Sequence, residues 1–142
     1  MYFRGCVAFA YWIVWLYDSI YQFQHRGFFC LQYFTIWGVW LTTFYFTYAF
    51  ITQIRYRGRE AQLKDSSSLW HTWKWVSSLF ITAILWECII ASIYWTILYP
   101  TDRKNRLLGH PWAQFFNVFD HAMPSVCLWT DWALNCVWIE WN

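Results

Sequence analysis

Polar side chains of the kinds that move protons or activate nucleophiles gather in the last apolar stretch of the sequence, Phe115 to Trp138: Asn117, Asp120, His121, Asp131 and Asn135. On a helix turning about 100° per residue, Asn117, Asp120, Pro124, Asp131 and Asn135 fall within about a 60° arc, with His121 at its edge. A charge at the centre of a bilayer costs about 2.5–3.5 kcal/mol on insertion scales. The stripe is therefore expected to face other helices, a cavity or water, as a chemical site or as the polar seam of a helix bundle. Glu87 is the one deep charge of the preceding apolar stretch. It serves either as a functional group or as a neutral hydrogen-bonding link between helices.

These residues allow a chain of proton carriers through Glu87, Asp120, His121 and Asp131. Haem held by two imidazoles is not expected, because only His121 lies deep while His25, His71 and His110 fall in loops or at helix ends. Zinc is not expected either. The sequence has no H-E-x-x-H, and the adjacent Asp120 and His121 point about 100° apart on a helix. No metal and no cofactor is called for. There remains nucleophilic catalysis, in which a threonine hydroxyl needs an adjacent base. Histidine is the commonest such base, and Thr35 can meet His121 only if the second and fourth apolar stretches pack together.

The elements that would position these groups follow from composition. Of 142 residues, 59% are hydrophobic, 26% aromatic and only 13% charged, with 14 tryptophans. Soluble domains carry about 25% charged residues. Each membrane span needs about 20 apolar residues, so the expected fold is all-α, a single integral-membrane bundle of four transmembrane helices over about residues 5–24, 28–54, 73–99 and 111–138. The uncharged second span would measure about 40 Å and must tilt or extend past a core of about 30 Å. Thr35, Gly38 and Thr42 share one of its faces. Ser66, Ser67 and Ser68 offer caps before the third span, which is expected to end at Pro100. Pro124 should kink the fourth, one turn after His121.

The net charge of +2 resides in loops between apolar runs, where membrane topology explains it and nucleic-acid binding does not. With four crossings, Arg4, Arg55, Arg57, Arg59, Lys64 and Lys74 lie on one side and Arg26, Arg103, Lys104 and Arg106 on the other. That bias places both termini on the cytoplasmic or matrix side. The cysteines Cys6, Cys30, Cys88, Cys127 and Cys136 form no C-x-x-C pair and read as small buried hydrophobes. The first apolar run is too long for a cleavable signal and has no small-residue cleavage site after it.

Three blocks carry a family resemblance: Gln32-Tyr-Phe-Thr-Ile-Trp-Gly-Val-Trp-Leu, then Ile93-Tyr-Trp-Thr-Ile-Leu-Tyr-Pro, then Asn117-Val-Phe-Asp-His-Ala-Met followed by Leu128-Trp-Thr-Asp131. In order and spacing they resemble the androgen-induced-protein and rolling-stone family of multi-span membrane proteins, from Arg4 to about Asn135. The resemblance implies a threonine hydrolase acting on fatty-acid esters of hydroxy fatty acids, with Thr35 matching the nucleophile and His121 the base. Thr35 would form an acyl-enzyme and His121 would then activate water, with Asp120 or Asp131 orienting the imidazole. Other members of the family are known by roles in cell fusion, so membership does not by itself imply catalysis. Family members continue with further spans beyond the point where this sequence stops, so a shortened member is expected.

Two functions follow. One is an accessory, non-catalytic subunit of a larger membrane complex, with other membrane-protein subunits and lipids as partners. An energy-transducing complex fits, which would place the chain in the mitochondrial inner membrane. The other is the lipid-ester hydrolase, which would place it in an endomembrane or the plasma membrane.

Overall fold

The computed structural model describes residues 2–26, 34–57, 67–104 and 111–135. Among them all regular structure is helical: α1 (Tyr2–Arg26), α2 (Phe34–Arg55), α3 (Ser67–Ile93), a π-helical segment (Tyr94–Leu98), α4 (Tyr99–Asp102), α5 (Pro111–His121) and α6 (Met123–Asn135). Cys30, Arg59, Lys64, Arg106, His110 and Cys136 lie outside the described residues, as does the expected start of the second span near Phe28.

The elements group into four rods. Helix α1 packs along α2, α2 along α3, and α6 lies against α1, α2 and α3. Small residues set the approach of α1 to α2. A Cβ on Gly5 would stand 2.8 Å from the Phe50 ring, and the neighbouring Ala8 and Ala49 are buried. The core between the rods is aromatic. Tyr11 stacks on Phe46 with ring centroids 6.5 Å apart, and Tyr45 packs on Phe46 at 5.0 Å and on Phe80 at 5.4 Å. Leu128 and Pro124 close this core from α6. Trp12 Nε1 donates to Thr47 Oγ1 at 2.9 Å, tying α1 to α2 from the side.

Two rods, Phe34–Arg55 and His71–Thr101, are long and apolar enough to cross a membrane. Helix α1 has 25 residues, which measure about 37 Å, but its apolar content is largely aromatic and it carries Arg4 and Asp18. The last rod is broken into the 11 residues of α5 and the 13 of α6.

Of the three prolines, Pro100 and Pro124 act where a missing N–H and a bulky ring disturb the helical ladder. At Pro124 the chain makes a one-residue turn at Ala122, with Ala122 N–H on Val118 O at 2.9 Å and Val126 N–H on Ala122 O at 3.1 Å. The third rod does not end at Pro100 as the residue type suggests. It loosens into the π segment, in which Tyr99 N–H reaches back to Tyr94 O, and resumes as α4, where Arg103 N–H bonds Tyr99 O. The π segment immediately precedes the turn that holds Pro100, whose missing N–H disturbs the ladder, and the rod continues past it as α4.

Candidate functional site

Asn117, Asp120, His121 and Asp131 of the last rod are turned toward the other rods. At one level Asp131, fully buried, meets Arg4 of α1 and Tyr45 of α2. Arg4 Nε donates to Asp131 Oδ1 at 2.8 Å and Nη2 donates to Oδ2 at 2.9 Å. The Tyr45 hydroxyl donates to the same Oδ2 at 2.5 Å. The guanidinium and carboxylate thus form a two-pronged pair with a third donor on the acid. Arg4 is 6% exposed and Tyr45 0%. Counting Arg4 among the charges that set topology is corrected by this placement. It lies on the first turn of a helix that starts at Tyr2 and points inward, because a buried partner satisfies it better than an apolar surround. Without it the basic bias between the two sides nearly vanishes.

One level further along, the Tyr11 hydroxyl lies beside the Cys127 thiol. Glu87 of α3 is fully buried there. Its Oε1 accepts from Thr42 Oγ1 of α2 at 3.2 Å. Gly38, one turn before Thr42, makes this fit possible, since a Cβ on it would stand 2.5 Å from Glu87 Oε1. The face that joins Gly38 to Thr42 is therefore the one that receives Glu87. Other threonines bond back to their own helix, as Thr43 does to Val39 O at 2.7 Å. Glu87 Oε2 and Asp120 Oδ1 are buried and have no hydrogen-bond partner among the described residues. Asp120 lies in the electrostatic field of Asp18 and Glu87.

At the third level the π segment turns Tyr94 inward. The His121 ring lies flat on Tyr94, with centroids 3.6 Å apart and planes within 3°. Asn117 Nδ2 donates to the Tyr94 hydroxyl, and Trp95 Nε1 donates to the His121 carbonyl at 3.3 Å. These contacts hold His121 against the π segment. Thr35 is half-buried on the first turn of α2, next to Phe34, whose ring packs on Trp86 with centroids 5.5 Å apart. Asn135 belongs to α6, but its side chain lies outside the described residues.

Sequence reasoning missed Arg4, Tyr45, Tyr11 and Tyr94. An arginine this early in a chain looks terminal, and tyrosines are too common here to stand out. The one available signal was charge balance, because a buried acid on the last rod called for a base somewhere.

Chemically, the first level is a closed ion pair, the second a half-satisfied carboxyl seam, and the third a rigidly held histidine. Among the described residues no group of three or more His, Cys, Asp or Glu is placed to hold a metal ion. Cys6, Cys88 and Cys127 are free thiols. The class that fold and site define is an all-helical bundle with a polar column through its core. Comparison with protein-family models, with curated proteins and with solved structures finds no match for this chain.

Proposed function

We propose that all four rods cross the bilayer and that the chain is an accessory, non-catalytic subunit of a larger membrane complex. The observation that carries this reading is the division between inside and outside. Polar groups are turned inward and bonded across helices, as in Arg4–Asp131–Tyr45, while large apolar side chains stand exposed on every rod. They include Phe9 and Ile13 on α1, Trp37 on α2, Trp75 and Leu85 on α3, and Phe115, Trp129 and Trp132 on the last rod. A surface that is apolar all round suits lipid or neighbouring helices. An ion pair closed on itself suits a scaffold better than a proton carrier. Tryptophan is enriched at protein interfaces, and Trp129 and Trp132 form an edge-to-face pair, 50% and 45% exposed.

The test is site-specific photocrosslinking in native membranes, with a photoreactive residue at Trp132 or Trp129 and, as comparison, at Leu85. A discrete protein adduct from the tryptophan positions, together with migration on a native gel well above the 17.5 kDa chain, is expected. A monodisperse monomer yielding only lipid adducts would overturn the reading.

The hydrolase reading is favoured by one feature, the stacking of His121 flat on Tyr94, which sets the orientation of the imidazole. In it Thr35 is the nucleophile for fatty-acid esters of hydroxy fatty acids. A fluorophosphonate probe should label wild type and lose its target in both Thr35→Ala and His121→Ala. Absence of labelling in well-folded wild type would remove it.

A further inference from the structure

The last rod is the most expensive segment to place in a membrane. It carries Asp120, Asp131, Asn117 and Asn135 along with the Pro124 break, and its two helices of 11 and 13 residues are each too short to cross alone. Its fully buried Asp131 is paired, among the described residues, with Arg4, which lies 127 residues away in sequence. An arginine on the first turn of a helix would ordinarily extend along the helix to the interface. Here it turns inward, is 6% exposed, and gives Asp131 two bonds.

We infer that α5–α6 is a conditional span, which enters the membrane only when the Arg4 side chain of α1 is present to neutralise Asp131. The inference rests on the four-crossing reading above. Helices α2 and α3 insert first on apolarity alone. Helix α1 packs along α2, with Gly5 against Phe50 and Trp12 on Thr47, and so brings the guanidinium to a fixed place at the edge of the core. Tyr45 of α2 already presents its hydroxyl there. The last rod then has a waiting site for its carboxylate, and its crossing is coupled to the first helix through one ion pair. Until that pair forms, the C-terminal segment stays on the side where α3 leaves it.

The test uses the full chain translated into microsomes, with one glycosylation acceptor following Arg57 and another in a tag after Asn142. If α5–α6 crosses, the two acceptors share a side and are both modified or both unmodified. If it does not, only one is modified. Wild type is expected to behave as a single-sided pair. Arg4→Leu should split the pair, lowering the ratio of crossed to uncrossed chains about tenfold or more, because an uncompensated acid is strongly disfavoured. Arg4→Leu/Asp131→Leu should restore the wild-type pattern, since no charge then needs a partner. A split pair in wild type would remove the four-crossing reading itself. With wild type as expected, an unsplit Arg4→Leu variant overturns the inference, and so does a double variant that stays split.

Discussion

Gly38→Ala gives a sharp test of the Glu87 seam, because two opposing effects can be weighed. Alanine in a helix interior is favoured over glycine by about 0.5–1 kcal/mol. Against this, the new Cβ would stand 2.5 Å from Glu87 Oε1 and 2.6 Å from Ile90 Cδ1. Both must retreat by about 1 Å to reach ordinary contact. Neither has free space, since Glu87 is 0% and Ile90 6% exposed. The Thr42–Glu87 bond is already 3.2 Å long, so the retreat breaks it, at about 1 kcal/mol. Overpacking adds about 1–3 kcal/mol. The net effect is a destabilisation of about 1–3 kcal/mol. Reversible unfolding in mixed micelles of rising SDS content, followed by tryptophan fluorescence, measures it. Gly38→Ala/Ile90→Val, which removes Cδ1, should recover part of the loss. A Gly38→Ala variant as stable as wild type, or more stable, would refute the close approach of α2 to Glu87.

Tyr45→Phe removes the hydroxyl from Asp131 without changing shape, and should cost about 1.5–3 kcal/mol in the same unfolding assay, the range for bonds to charged groups. Trp12→Phe and Thr47→Val each remove one end of the 2.9 Å link between α1 and α2. A double-mutant cycle should show coupling of about 0.5–1.5 kcal/mol, and independence would mean the link is not made. Among single-cysteine versions, Cys6, which is exposed, should react with N-ethylmaleimide in intact membranes, while the buried Cys127 should react only after SDS is added. Equal reactivity of the two would contradict the packing of α6 against Tyr11.

The helical character of the chain was legible from its apolar runs of span length, and α2 and α3, the two helices long and apolar enough to cross a membrane, needed nothing more. That Asn117, Asp120 and Asp131 share a face of the last rod was a matter of spacing alone, since residues at helical periods must do so, while the inward direction followed from the cost of leaving charges in an apolar surround. The break near Pro124 was equally local, a consequence of one missing N–H. Partners are another matter. That Asp131 meets Arg4 and Tyr45 depends on which rods are neighbours, and residues 127 apart carry no mutual signal in a single sequence. The same holds for Glu87. Its depth is visible in the sequence, but its seat on Gly38 and Thr42 exists only once α2 and α3 are packed in register. Pro100 shows the opposite limit. Locally it reads as a helix end, yet a π turn lets the rod absorb it, and that same turn brings Tyr94 onto His121. Types and periods thus determined that the polar groups of the last rod share a face, and tertiary packing decided that Arg4, Tyr11, Tyr45 and Tyr94 turn inward and which groups they meet, because a shared face is set by one helix while pairing requires two.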